Sequence, residues 1–338
     1  MSIKKVLLTI AVLVAAVVVL SACAGPEGPA GPAGPEGPAG SVGPMPSAAE
    51  LTCTQCHNDT TLIVSKEAQF RERSVHGTGE AFERGEGTNC AGCHGTEGAK
   101  ARINAGLLPH DASIEGVVNV SPYDCRTCHN IHTTYTLDDF SLTGGEQPVV
   151  MERTTSTYDG GAGNLCANCH QFRNAAPTVD AGNISVTSSH FGPHLSAQAQ
   201  MLLGEGGLGG VTGTPSPHYS TVTDTCVACH MGAEFNHTYA PEVERCVACH
   251  ADLEDFDNNG AQTEIATLLE ELKAQFIAKG MMDEEEAWIA SSSAPAIYPE
   301  AIADAMWNYS FVAEDGSLGV HNSAYAKALL QQALDALK

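Results

Sequence analysis

The sequence predicts a mostly irregular chain with short α-helices, closed by a C-terminal α-helical segment. Two observations carry this. From about residue 50 to 250 the 338-residue chain is rich in Gly, Ser, Thr, Asn and Pro with few apolar periods, so ordinary side chains build little core there. From residue 261 the character changes: "AQTEIATLLEELKAQFIAKG" places Ile265, Leu268, Leu269, Leu272 and Phe276 at helical spacing and ends at Gly280. A shorter helix is expected over residues 298 to 309. A last amphipathic one is expected over "NSAYAKALLQQALDALK", with Asn322 or Ser323 as N-cap and Leu330, Leu334 and Leu337 on one face.

The N-terminal part reads differently. Lys4 and Lys5 precede the apolar run "VLLTIAVLVAAVVVL" and the ending "LSAC", the layout of a secretory signal over residues 1–23. The ending resembles the lipobox of bacterial lipoproteins, which implies lipidation at Cys23. The alternative, an uncleaved transmembrane anchor, meets a run shorter than the about 20 residues a span requires. Ala24 follows the cysteine without an aspartate to mark inner-membrane retention, so the expected place is the outer membrane or the cell surface. Residues 24–49 are a collagen-like Gly/Pro-rich spacer containing "GPEGPAGPAGPEGPAGSVGPM", seven consecutive triplets that begin with glycine. The segment suits either a collagen trimer or a polyproline-type spacer, which would hold the next domain about 60 Å from the membrane.

Sixteen Lys plus Arg against 40 Asp plus Glu give a formal charge of −24, which excludes nucleic acid as a partner. Contact with the membrane is left to the lipid anchor.

Thirteen cysteines in an exported chain would ordinarily suggest disulfides. Their spacing points elsewhere. Apart from Cys23 they form six copies of Cys-x-x-Cys-His: Cys53, Cys56, His57; Cys90, Cys93, His94; Cys125, Cys128, His129; Cys166, Cys169, His170; Cys226, Cys229, His230; Cys246, Cys249, His250. Zinc has no reason to put a histidine directly after every second cysteine, and a thioredoxin-like motif occurs once, before a helix. Two thiols on one local turn can add to the two vinyl groups of a porphyrin, leaving the adjacent histidine beneath the iron. Six haem c groups are therefore expected over residues 50–255. There the porphyrins would supply much of the apolar core, and residues 256–338 would form a helical region packing on that domain.

With these motifs the chain resembles the multihaem c-type cytochromes of anaerobic respiratory and extracellular electron-transfer systems, over residues 50 to 338. "CRTCHNIHTTY", "HFGPHLSAQAQMLLGEGG" and "CHMGAEFNHTY" resemble recurring elements of that family. "GVHNSAYAKALL" also resembles the C-terminal region of pentahaem nitrite reductases.

The motif histidines leave eight others: His76, His110, His132, His190, His194, His218, His237 and His321. Six are required if each iron takes a second imidazole, and the expected set is His76, His132, His194, His218, His237 and His321. His190 competes with His194, and His110 is the expected bystander. His132 follows His129 by three residues, lies on the same side of that haem, and must ligate a neighbouring one. "DFDNNG" repeats the first half of a calcium loop through Asp255, Asp257 and Asn259, but Ala266 stands where the closing glutamate belongs; the alternative is a solvated turn.

The expected function is electron transfer between a respiratory donor and an acceptor outside the membrane, with other redox proteins, cytochromes or metal oxides as partners. Assembly into a homo-oligomer or filament stays open. The alternative is a reductase of nitrogen or sulfur oxyanions with one open haem. Pentahaem nitrite reductases mark that haem by lysine in place of the motif histidine, and all six motifs here end in histidine.

Overall fold

The irregular central region forms short helices wherever a local cap or a Cys-x-x-Cys-His motif nucleates one turn. The computed structural model describes His57 and residues 62–87, 89–111, 114, 119–232 and 234–338. Cys23, the Gly/Pro triplets, Cys53 and Cys56 lie outside the described residues.

Helix α1 spans Leu62–Arg73 and α2 spans Val75–Thr78. The buried Ser74 between them caps α2 by accepting from the Gly77 N–H. After α3 (Thr96–Asn104), the single turn α4 (Cys125–Cys128) begins at Asp124, which forms a capping box with Thr127. Strands β1 (Val149–Val150) and β2 (Thr157–Tyr158) make a two-stranded antiparallel ribbon, followed by α5 (Asn164–Ala167). Strand β3 (Asn183–Val186), helices α6 (Gln198–Leu203), α7 (Pro217–Thr221) and α8 (Cys226–His230) complete the central region. In α7, Ser216 is the N-cap and Pro217 opens the helix, a position where its missing N–H costs nothing.

The three long helices follow. Helix α9 is Ala261–Ala278, α10 is Glu300–Asp315 and α11 is Ser323–Ala336. The second differs from the expected 298–309. Its apolar positions continue through Phe311 and Val312, and it stops only where Gly316 adopts φ +71°, while residues 298 and 299 are taken by β4 (Ala296–Pro299). Strand β4 pairs antiparallel with β3, Ile184 opposite Tyr298, and so ties the central region to α10. Asn322 is the N-cap of α11, its side chain accepting from the Tyr325 N–H.

The apolar core sits with these helices. Ile265, Leu272 and Phe276 of α9, Met306, Trp307 and Phe311 of α10 and Leu329 and Leu330 of α11 are buried with Phe172, Ile184 and Met201 from the central region. Edge-to-face pairs order it: Phe172 against Phe311 at 4.8 Å and Phe276 against Trp288 at 4.9 Å. The glycine-rich loop after α6 lies on α10 and α11 through its backbone. Trp307 donates to the Gly206 carbonyl, the Gly207 N–H donates to Tyr325, and buried Asn308 bonds both backbone groups of Leu208. A Cβ on Gly207 would stand 2.2 Å from Leu329, so only glycine permits this approach.

Phe276→Ala should lower the unfolding free energy of the haem-loaded protein by about 3 to 5 kcal/mol without changing its haem content. Denaturant unfolding checks this, and a loss under about 1 kcal/mol would contradict the packing described.

Candidate functional site

Four of the described motifs close the same single turn, and the one at Cys226–His230 forms α8. The His94, His129, His170 and His250 N–H groups donate to the carbonyls of Cys90, Cys125, Cys166 and Cys246 at 2.8 to 2.9 Å. That turn sets two cysteine side chains beside each other and projects the histidine next to them. None of the ten described cysteines is in a disulfide, so both thiols of each described motif are left to bind another group.

The histidines then meet in pairs. Ring centroids are 6.1 Å apart for His57 and His132, 6.0 Å for His76 and His170, and 6.4 Å for His94 and His194. They are 6.3 Å apart for His129 and His237, 6.1 Å for His218 and His250, and 6.3 Å for His230 and His321. Every pair joins one motif histidine to one of the six expected second ligands, and His132 faces His57 rather than its near neighbour His129. A metal bound to nitrogen at about 2 Å, with each ring centre about 1.1 Å further back, sets two opposed imidazoles about 6.2 Å apart. Each pair therefore has the span of one hexacoordinate iron.

The other ring nitrogen is held from behind. Nδ1 of His94, His129, His230, His218 and His237 lies 2.7 to 2.9 Å from the carbonyls of Ala81, Phe140, Tyr239, Val320 and Phe235. The side chains of Gln198, Asn258 and Asp315 stand at His170, His250 and His321. These contacts orient the rings and leave Nε2 to bind. Burial, reinforced by His170, lowers the His76 pKa to about 4; burial, with Arg173 and His94 adding to it, does the same for His194. Burial also lowers His129 and His237, so these rings are neutral donors. His321 differs: burial opposes its charged form, but Asp315, by charge and hydrogen bond, raises its pKa overall.

Two of the second histidines hold strained backbone. His132 has φ +62° and His194 φ +83°, rare for a residue with a Cβ. Asp139 fixes the first by accepting from the N–H groups of His132, Thr134 and Tyr135. Tyr135 stacks on the His132 ring at 13°.

Eight of the paired rings, those of His57, His76, His94, His129, His132, His170, His194 and His237, line one cavity of about 2410 Å³ together with the cysteines of motifs two to four. Arg173 and Glu314 also line it, and Arg173 Nε and Glu314 Oε2 are buried without protein partners. Both lie near His194, whose N–H bonds Glu314; burial raises the Glu314 pKa to about 7. A haem fits this set: thiols at its edge, imidazoles on both faces, and a cation whose unpaired donor suits a propionate.

The remaining expectations fall out as follows. His110 holds Glu152 at 3.0 Å, and His190 is exposed on the cavity rim; neither forms an imidazole pair among the described residues. The residues of "DFDNNG" make local hydrogen bonds. Asp257 spends its carboxylate capping α9, accepting from the Gln262 and Thr263 N–H groups, and Asp255 accepts from the Asp257 N–H. No cluster of three or more His, Cys, Asp or Glu that could hold a metal ion occurs among the described residues. No helix among them is long and apolar enough to cross a membrane. Sequence reasoning missed Asp315 and the carbonyls behind the rings. Asp315 could have been found from its place at a helix end six residues before His321; backbone acceptors leave no mark on residue type.

Neither a protein-family model nor a curated protein matches the chain. Among solved structures it is similar to the outer cell wall cytochrome OcwA, with TM-score 0.51 and 23% identity over 80% of this chain and 50% of that one. An undecahaem cytochrome from the S-layer of Carboxydothermus ferrireducens gives TM-score 0.48 and 17% identity over 79% and 40%. The first likeness shows that the chain shares the fold of that cytochrome. The chain spans about half the length of OcwA.

In the haem-loaded protein, Asp315→Asn should raise the midpoint potential of one haem most and leave the haem content unchanged, since the carboxylate makes His321 a stronger donor. A potentiometric titration reads this; unshifted potentials would contradict the role given to Asp315.

Proposed function

We propose that the protein carries electrons through six covalently attached c-type haems, each between two histidines. The observation that carries this is the set of six imidazole pairs, each spaced for one iron and each containing one motif histidine. The haems supply reversible one-electron chemistry when bound. The chain's part is to tether them through Cys53, Cys56, Cys90, Cys93, Cys125, Cys128, Cys166, Cys169, Cys226, Cys229, Cys246 and Cys249, to fill both axial positions, and to hold neighbouring groups close enough for electrons to pass.

The ligand pairs are His57 with His132, His94 with His194, His129 with His237, His170 with His76, His230 with His321 and His250 with His218. Filling both positions leaves no place for a substrate on iron, which favours a carrier over a reductase of nitrogen or sulfur oxyanions. It also takes every ligand from one chain, so assembly into a filament is not required for saturation. Two imidazoles keep the potentials low relative to Met/His cytochromes. Cys23 as a lipid anchor, followed by the 24–49 spacer, would hold the haem domain away from an outer membrane. There the acceptor is another cytochrome or a metal oxide and the donor a respiratory redox protein.

The intact mass of the exported protein should include six haems. His132→Ala should turn one haem high-spin, and that signal should disappear when Cys53 and Cys56 are also replaced. A count other than six, or a high-spin signal that disappears only with Cys125 and Cys128, contradicts this reading.

A further inference from the structure

The attachment sites do not follow one another in space as they do in sequence. Arg102, 1% exposed, donates its guanidinium to the backbone carbonyls of Gly92, Leu107 and Asn168. Two of these carbonyls, Gly92 at 2.6 Å and Asn168 at 2.9 Å, lie inside the second and fourth motifs, and the same side chain reaches Cys169 Sγ at 3.7 Å. The Cys93 and Cys169 thiols are themselves in contact. Arg102 thus pins the second motif against the fourth, 76 residues further along (94 to 170).

The fourth motif meets the fifth on its other cysteine. Cys166 contacts Cys226, and Thr225 Oγ1 donates to the Gly160 carbonyl while Tyr158 donates to Thr225. A Cβ on Gly163 would stand 2.1 Å from Thr225 Oγ1, so the glycines "GGAG" before the motif are what let the two segments close. The third site also faces the fourth: the Tyr239 ring lies 5.1 Å from His76, the partner of His170, and 6.1 Å from His237, the partner of His129.

The first and sixth sites attach beyond these. The first shares the third motif's loop, because its second ligand His132 is three residues beyond His129. The sixth joins the fifth: His218 Nδ1 bonds the carbonyl of Val320, the residue before His321, and Arg245 reaches the Ala228 carbonyl.

We infer that the fourth attachment site, Cys166, Cys169, His170 and His76, is a branch point that adjoins the second, third and fifth sites. The second site also touches the third, since Thr96 Oγ1 lies 2.7 Å from Thr127 Oγ1 and Tyr123 donates to the Cys93 carbonyl, and the first and sixth sites lie beyond the third and the fifth. An electron arriving at the fourth iron can leave to any of three neighbours: the donor iron is oxidised, the next reduced, and no atoms move. This rests on the function proposed above.

The test is a potentiometric titration of haem-loaded single variants, with dithionite as reductant, following each haem by its EPR signal. Replacing a second histidine by methionine raises the potential of its own haem and so identifies its signal. The haem now reduced first lowers the potentials of its near neighbours by charge repulsion. His76→Met should lower three signals, those that His194→Met, His237→Met and His321→Met individually raise. Lowering only the last two would mean that space follows sequence and would overturn the branch.

Should His76→Met fail to mature, His194→Met decides. It should lower a signal raised by neither His132→Met nor His237→Met; confinement to those two overturns the proposal. Intact mass separates the failures, since fewer than six haems in the wild-type protein sinks the function itself.

Discussion

The structure depends on one distance, the gap of 6.0 to 6.4 Å between paired imidazole rings, at which both rings would reach one iron. A chain that satisfies this gap six times has little freedom left for regular structure. Each pair joins residues from distant parts of the sequence, such as His76 with His170 and His230 with His321. The backbone between them is bent to suit, and left-handed backbone at His132 and His194 is the local cost. Hydrogen bonds to Nδ1 then convert a merely close pair of rings into an oriented one.

Two kinds of interior divide the work. Helices α9 to α11 with the β3–β4 ribbon bury Trp307, Phe276 and Phe311 in an ordinary apolar core. The region of motifs two to four instead encloses a cavity lined by histidines, cysteines and aromatic rings. The helical region also reaches the paired rings: Asp315 ends α10 and holds His321, and the carbonyls of Glu314 and Asp315 accept from Gln198, which holds His170.

The motifs, the helical tail and the split between irregular and helical parts were legible because each is a local pattern: a spacing of cysteines, an apolar period, a capping asparagine. His132, three residues from His129, is expected to turn to another motif, and its ring lies 6.1 Å from that of His57. The partners of the other histidines depend on contacts across the chain that no spacing encodes. So does Arg102, an unremarkable helix residue until its guanidinium is found among the carbonyls of two motifs. In "DFDNNG" the same residue types suit a calcium loop and a turn leading into a helix, and Asp257 accepts from the first turn of α9.

The central claim is that every iron is held between two imidazoles. Near-infrared magnetic circular dichroism of the fully oxidised wild-type protein tests it most directly, because the position of the ligand-to-iron band reports the axial pair. The account predicts low-spin bis-imidazole bands whose intensity accounts for all the iron in the sample. A fraction of high-spin iron, or a band of another ligand pair amounting to one haem in six, would contradict it.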